Sequence, residues 1–394
     1  MAWAMDSITR QFIGENLNAD VPTLALKKAP VGIDYSLALR QIEARQLLKK
    51  KVPSWSENDN LLFPAHLSIE QCSSEAAAQY KAQLLKGKTF VDLTGGLGID
   101  SYFISQNFQQ TDYVEQQPEL CELARHNFAV LGVNINVLNT TAEDYLNHCD
   151  EKDSIFIDPA RRDAYGRKTV SISDCTPNAT ELQNLLLKKA KIVMVKLSPM
   201  LDISKPLEEL RCVKEVHVVA VANECKELDF VLESRFQGET SFFCVNLLTN
   251  QPELRFTMEE ERNCPIRLAE GVSNYLYEPN PAIMKAGCYK LLTERFNVFK
   301  LDKNSNLYTS ERLAPNFPGR IFEVEAWAPY NKKVRQTLLS DVDKASIAVR
   351  NFPLSVAELR KLLKISDGDE VYLFATTLKG GQKVFIKTKK TASI

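Results

Sequence analysis

Three stretches of this chain carry residue types that could do chemistry together. The first, Val91-Asp92-Leu93-Thr94-Gly95-Gly96-Leu97-Gly98-Ile99-Asp100, reads as a strand, a loop and a helix start. Glycines there let the backbone turn sharply and approach a ligand without interference from a Cβ atom. A helix start offers free N–H groups to a carboxylate or phosphate. The second is Glu115, followed by Gln116, at the end of the next strand. An acid in that place can accept the hydrogens of both ribose hydroxyls, and its charge repels a 2′-phosphate. The third is Ile155-Phe156-Ile157-Asp158-Pro159-Ala160-Arg161-Arg162, after the fourth strand. Asp158 and the backbone carbonyl near Pro159 could accept the N–H bonds of an amine and hold it in line for attack. Asp144, in Thr141-Ala142-Glu143-Asp144-Tyr145, follows the third strand, where an adenine contact is possible. Glu143 competes for that role, and an acid at a helix start needs no ligand at all. The glycine loop and Glu115 by themselves also fit a dinucleotide site.

These residues need a frame, and the pattern from Lys88 onward supplies one. Short apolar strands at 89–93, 112–115, 135–138, 154–157 and 192–197 alternate with helical stretches at 99–107, 118–131 and 180–189. Further strands are expected at 216–222, 229–232 and 242–248. This alternation predicts an α/β fold with a largely parallel, Rossmann-like sheet covered by helices on both faces. Such sheets bind ligands beyond the carboxyl ends of their strands. Residues 1–85 read as a helical region, with helices at 36–51, stopped before Pro53, and 74–85. Arg40, Arg45 and Lys49–Lys51 could touch phosphate or simply face water. Gln71, Ser73, Ser74 and Glu75 could close over a cofactor, although a serine there equally caps a helix. Residues 251–280 look polar and irregular, a connector. Beyond them, Ser355 and Glu358 have capping-box spacing, and strands at 370–378 and 382–389 would form a hairpin across Gly380-Gly381.

Asp92 and the glycines after it resemble the D-x-G-x-G-x-G motif of class I methyltransferases, which take a methyl group from S-adenosylmethionine. Thr94 replaces the first glycine, and Gly96 and Gly98 match the other two. The Asp158-Pro159 stretch resembles the (N/D)-P-P-(Y/F/W) motif of amino-group methyltransferases, with Ala160 and Arg161 in place of the second proline and the aromatic. Thr94 to Asp100 is similar to the T-A-G-L-G-x-D motif of a bacterial 16S rRNA guanine-N2 methyltransferase family, and the region also looks like the trimethylguanosine-synthase group. The resemblance implies S-adenosylmethionine as cofactor, contacted by Asp92, Thr94, Gly95, Gly96, Gly98, Asp100, Glu115, Gln116 and Asp144. It implies Asp158 and Pro159 as the catalytic pair. Tyr165 or Phe230 could supply the stacking aromatic that motif lacks, and Arg161 and Arg162 could bind phosphate or stack on a base. Cys175 is the nearest candidate for a carbon-directed nucleophile, and Lys196 a possible member of a lysine-centred ribose-methylating site.

Tyr275-Leu276-Tyr277-Glu278-Pro279-Asn280-Pro281-Ala282-Ile283-Met284-Lys285 and Val349-Arg350-Asn351-Phe352-Pro353-Leu354 are similar to a bacterial methyltransferase family with a ferredoxin-like segment and a terminal THUMP-like domain. That resemblance gives a domain order of 1–85 helical, 86–250 methyltransferase, 251–280 connector, 281–324 ferredoxin-like and 325–394 THUMP-like. THUMP domains bind RNA, so an RNA partner is implied.

Charge distribution agrees with that expectation. The net charge is −1, yet residues 281–394 hold 20 Lys+Arg against 11 Asp+Glu, and residues 1–280 hold 29 against 39. A basic end on an acidic body suits a polyanion, and equally a solvated lysine-rich surface. Hydrophobic content of 44% with 25% charged residues excludes a disordered chain. No apolar run approaches the roughly 20 residues that span a bilayer. The nine cysteines are scattered without a C-x-x-C pair, so no zinc site or disulfide framework is expected. A cytoplasmic location fits that usage. The expected function is an RNA base methyltransferase acting on tRNA or rRNA at a guanine exocyclic amine. A small-molecule or protein methyltransferase, or a non-catalytic RNA-binding protein on the same fold, are the alternatives.

Overall fold

The structure, a computed structural model, describes residues 5–64, 66–160, 172–331 and 333–391, with the side chains of 66–68, 173, 335 and 336 left aside. Arg161, Arg162 and Tyr165 lie outside the described residues. The chain divides into two compact units, Met1–Glu215 with Glu227–Gly238, and Val216–Lys226 with Glu239–Ile394.

In the first unit the strands are β1 (Thr89–Asp92), β2 (Gln110–Glu115), β3 (Asn136–Asn139), β4 (Lys152–Ile157), β5 (Ala190–Leu197), the start of β6 (Val213–Val221) and β7 (Glu224–Glu233). Their order is β3-β2-β1-β4-β5-β7-β6. β1 to β5 run parallel, as the alternation predicted, and β7 lies antiparallel to β5. Beyond β5, the end of β7 meets the start of β6, where Glu233 N donates to Cys212 O at 3.0 Å. Register matters more than strand count for the site. Asp92 stands level with Tyr113 on β2 and Phe156 on β4, so the loops leaving β1, β2 and β4 open at one edge. The intervening helices start where the sequence offers caps: Asn178 accepts from Thr180 N and Glu181 N, and Pro118 occupies a first-turn position.

The helices Tyr35–Lys51, Pro53–Ser56 and Glu75–Leu84 reach into the same core. Leu48, Trp55, Phe63 and Ala78 pack with Phe90, Phe156, Met194 and Val231 in one buried cluster. Two side-chain amides secure the intervening segment. Gln41 bonds both backbone groups of Phe63, and Asn127 both of Leu62, at 2.8–3.1 Å. Arg45, expected at a phosphate or in water, does neither. Its guanidinium is buried and donates to the carbonyls of Ser56, Asn58, Asp59 and Leu61. The two Nη groups of one side chain thus gather four carbonyls of a single turn.

The second unit contains the hairpin β8 (Ser241–Leu247) and β9 (Leu254–Thr257). The stretch expected as an irregular connector therefore holds β9, a helix Met258–Asn263 closed by a Thr257–Glu260 capping box, and β10 (Tyr275–Pro279). Its polarity concealed the alternation of buried Leu254 and Phe256, whose partner strand is β8. The remaining strands are β11 (Phe299–Lys300), β12 (Tyr308–Ser310), β13 (Gly319–Pro329), β14 (Ser346–Val349), β15 (Val371–Thr377) and β16 (Lys383–Lys390). With β10 they form a seven-stranded sheet, β11-β12-β10-β13-β16-β15-β14. The period-2 rule divides its faces: Phe374, Val384 and Ile386 join one buried cluster, and Leu373, Ala375 and Phe385 the other. The β15–β16 turn is at Gly380-Gly381, both with positive φ, and the Ser355–Glu358 capping box is present.

Candidate active site

The loop after β1 is built around Asp92. Its carboxylate is buried and accepts from Thr94 N at 3.0 Å and from Ser101 Oγ at 2.5 Å. Burial pushes its pKa up to about 7. Asp92 thus shapes the loop from below. Gly95 could not be any other residue: a Cβ there would lie 2.1 Å from the Tyr113 ring. That ring is buried and its hydroxyl donates to Gly96 O at 2.6 Å, so it cannot move aside. Gly98 caps the helix Ile99–Ser105 with φ 85°. Gly95→Ala is expected to lower stability by about 1–3 kcal/mol through overpacking and to weaken cofactor binding, read by urea denaturation and calorimetry. Gly96→Ala, where a Cβ would meet nothing closer than Thr94 O at 3.8 Å, isolates the backbone cost of an alanine at φ 55°, about 1–2 kcal/mol.

Glu115 closes the other side of the loop. Its Oε2 accepts from Gly96 N at 3.0 Å and its Oε1 from Gln117 N at 2.8 Å. A carboxylate offers about four lone-pair sites, so one acceptor site on each oxygen remains for a diol. Gln116 is exposed beside it. Asp144 is exposed in the first turn of the helix Ala142–His148, where its N–H is capped by Thr141 Oγ1 at 3.1 Å.

Thr94, the departure from the glycine motif, joins the first stretch to the third. Its hydroxyl oxygen accepts from Asp158 N at 2.7 Å. Pro159 is buried, and Ala160 pairs with Thr176 in an isolated bridge. The Asp158 carboxylate, about one-third exposed, forms an ion pair with Lys196 from the end of β5. Burial raises the Asp158 pKa, against the pull of that ammonium. Lys196, in turn, stays charged because Asp158 and then Asp100 outweigh its own burial.

Asp100 turns away from the loop. Its Oδ2 accepts from Ser73 Oγ at 2.7 Å and its Oδ1 lies 3.1 Å from Lys81 Nζ. Lys81, fully buried on the helix Glu75–Leu84, also reaches Glu227 Oε1 at 2.6 Å and Ser73 Oγ at 2.9 Å. Asp229 stands opposite Lys196 in the β5–β7 register, fully buried, with both oxygens lacking a hydrogen-bond partner. Burial, reinforced by Glu227, holds it well above the usual carboxylate range. Lys81, Glu227 and Asp229 went unread in the sequence. A lysine inside the apolar run Ala76–Ala82 was the available signal, since such a residue is buried only when paired.

Other expected roles move. Ser73 serves Asp100 and Lys81, Ser74 caps its helix, and Glu75 accepts from Ser54. Phe230 is fully buried in β7, so it offers no stacking face, and Cys175 is buried as well.

A crystallised candidate methyltransferase from Porphyromonas gingivalis W83 is 35% identical to this chain, covers 98% of both chains and superposes with a TM-score of 0.87. The chain belongs to this methyltransferase family. Uncharacterised S-adenosylmethionine-dependent methyltransferases of two Mycobacterium tuberculosis strains are 23% identical over 316 residues, 80% of this chain and 84% of theirs. Residues 275–318 match a family described as a ferredoxin-like domain, and residues 319–390 one described as THUMP domain-like. This methyltransferase therefore has a class I fold, uses S-adenosylmethionine and carries a C-terminal THUMP-like region. The loop fits that cofactor: open space over Gly96, and free acceptor positions on buried Glu115 for a ribose diol. When bound, S-adenosylmethionine supplies an activated methyl group on a sulfonium centre. Among the described residues no helix is long and apolar enough to cross a membrane.

Proposed function

We propose that this methyltransferase acts on RNA, either tRNA or rRNA, at an exocyclic amine of a base, with guanine the leading candidate. The observation that carries the reading is the 2.7 Å bond from Asp158 N to Thr94 Oγ1. It fixes a carboxylate at the rim of the cofactor loop, where an acceptor atom must stand. An exocyclic amine is a poor nucleophile because its lone pair is delocalised into the ring. Lys196 holds Oδ2 of Asp158, and Oδ1 is left to accept an amine N–H and orient the nitrogen for in-line attack. Pro159 and the Asp92 and Glu115 sides of the pocket position the two reactants. Gly95, Gly96, Gly98 and Thr94 shape the cofactor side, with Gln116 and Asp144 as rim residues on the nucleoside side. RNA is supported by the THUMP-like region and by the basic C-terminal third.

A second reading, a small-molecule or protein substrate, is favoured by one observation. Several C-terminal lysines are already paired: Lys387 with Asp341 and Glu325, Lys389 with Glu323, Lys379 with Glu270. Nucleoside mass spectrometry of tRNA and rRNA from cells with and without the gene separates the two. Loss of one methylated guanosine in the deletion strain, restored by the purified enzyme with S-adenosylmethionine, is the expected result. Identical nucleoside profiles, together with no methyl incorporation into stripped RNA, would remove RNA as the substrate. Salt dependence of RNA binding is better probed by point substitutions than by cutting at residue 281, because the second unit begins upstream of that point.

A further inference from the structure

Two sequence stretches, Tyr275 to Lys285 and Val349 to Leu354, take no part in the methyl-transfer site, yet the fold brings them together. Glu278 on β10 stands directly opposite Arg320 on β13. Its Oε2 accepts from Arg320 Nε at 2.8 Å and also from Nη2, while its Oε1 accepts from Nη2 of Arg350, which follows β14. Gly319 allows the strands to meet so closely, since a Cβ there would lie 2.1 Å from Glu278 O. We propose that Arg320 and Arg350, braced on Glu278, form a phosphate-binding site.

Burial is asymmetric within this triad. The Glu278 side chain is 6% exposed, whereas those of Arg320 and Arg350 are 37% and 38% exposed. One of the two positive charges is balanced from beneath, and the other is left on the outward side. Arg350 also donates from Nη1 to Val349 O at 2.7 Å, and the Arg320 guanidinium lies 5.6 Å from the Phe322 ring centre. Both forks are therefore fixed before any ligand arrives, which removes much of the rotamer entropy that binding otherwise costs. Each still has N–H donors in hand, because a guanidinium carries five.

A separate observation concerns the residue two positions after Glu278. Asn280 is buried, its Oδ1 caps Ile283 N at 3.1 Å, and its Nδ2 has no hydrogen-bond partner. The Asn280 N–H donates to Pro318 O at 3.1 Å, which sets this residue beside the Gly319–Arg320 start of β13. A buried donor left unpaired costs about 1–3 kcal/mol, and a bound ion is one way such a group is satisfied. Two planar forks suit a tetrahedral phosphate, which offers each a separate pair of oxygens. A carboxylate has only two. The neighbouring acid, Asp302, is engaged by Asn351 Nδ2 at 3.3 Å.

The phosphate group can come from an RNA strand or from a free phosphate, so the site does not depend on the RNA reading. The probe is inorganic phosphate, titrated into the full-length ¹⁵N-labelled chain at constant ionic strength while the arginine Nε–H resonances are followed. Shifts of Arg320 and Arg350 with phosphate but not with chloride are expected. Arg350→Gln should weaken that binding about tenfold, the worth of one charge-assisted bond, and Arg350→Lys should restore it only in part. Unchanged melting temperature and S-adenosylmethionine affinity exclude a folding defect. A second arm measures RNA affinity against salt. A slope reduced by about one in Arg350→Gln identifies the strand as the source, and an unchanged slope identifies free phosphate. If neither Arg320→Gln nor Arg350→Gln alters phosphate or RNA binding, the proposal is overturned, while the nucleoside profiling result for RNA methylation stands or falls separately.

Discussion

Asp158→Asn is expected to lower the single-turnover rate of methyl transfer by about 10²–10⁴-fold while S-adenosylmethionine binding stays nearly unchanged. Asparagine keeps the side-chain shape and an oxygen for Lys196 but loses the charge proposed to orient the acceptor. Alanine is the poorer test. It would take from the Lys196 ammonium, which is 8% exposed, both the charge and the hydrogen-bond acceptor at this position, whereas asparagine removes the charge alone, and an uncompensated buried charge destabilises the fold. Calorimetry for the cofactor and urea denaturation for the fold separate the roles. The pH profile adds a sign. Because burial raises the Asp158 pKa, the carboxylate form is lost at a higher pH than for an ordinary aspartate. The acid limb of kcat/KM should therefore sit above the usual aspartate range in the parent enzyme and vanish in Asp158→Asn. Turnover of the Asn variant equal to the parent's would end the role.

The second large effect concerns stability. Lys81→Met is expected to cost about 3–5 kcal/mol, a fall in melting temperature of about 10 °C. The methionine fills the volume, so the loss is electrostatic. Asp100 and Glu227 would lose their direct ion-pair partner close to a third acid, Asp229, with the Lys196 ammonium already paired to Asp158. In the parent, Asp100 and Glu227 raise the Lys81 pKa despite complete burial, so the ammonium remains charged through neutral pH. Combining Lys81→Met with Asp100→Asn and Glu227→Gln should recover most of the loss, since removing a whole buried cluster costs far less than removing one partner. A single variant as stable as the parent would show that the cluster contributes little. The same bonds explain why the helical residues before 86 are part of this methyltransferase's first unit. Lys81 and Ser73 supply a cation and a hydroxyl that the sheet's own acids lack.

How much could be read without a structure depended on whether a feature is local. The βα alternation, the Gly95–Gly98 turn, the Ser355–Glu358 capping box and the Gly380-Gly381 hairpin follow from periodicity and allowed backbone angles, which neighbouring residues fix among themselves. The places of the glycine loop, Glu115 and Asp158 were legible for the same reason, as each sits at the end of a strand that its own residues announce. Partners were not. That Thr94 holds Asp158, that Asp100 turns to Lys81, that Phe230 is interior and that β9 pairs in a stretch expected as a connector depend on which segments meet. Residues 278, 320 and 350 show this most plainly: each is an ordinary charged residue in its own neighbourhood. The amino-acid order set the elements and the chemistry at strand ends. Tertiary packing decided which charges share a dielectric, and so which are ligands and which are struts, because burial and Coulomb energy are properties of neighbours in space.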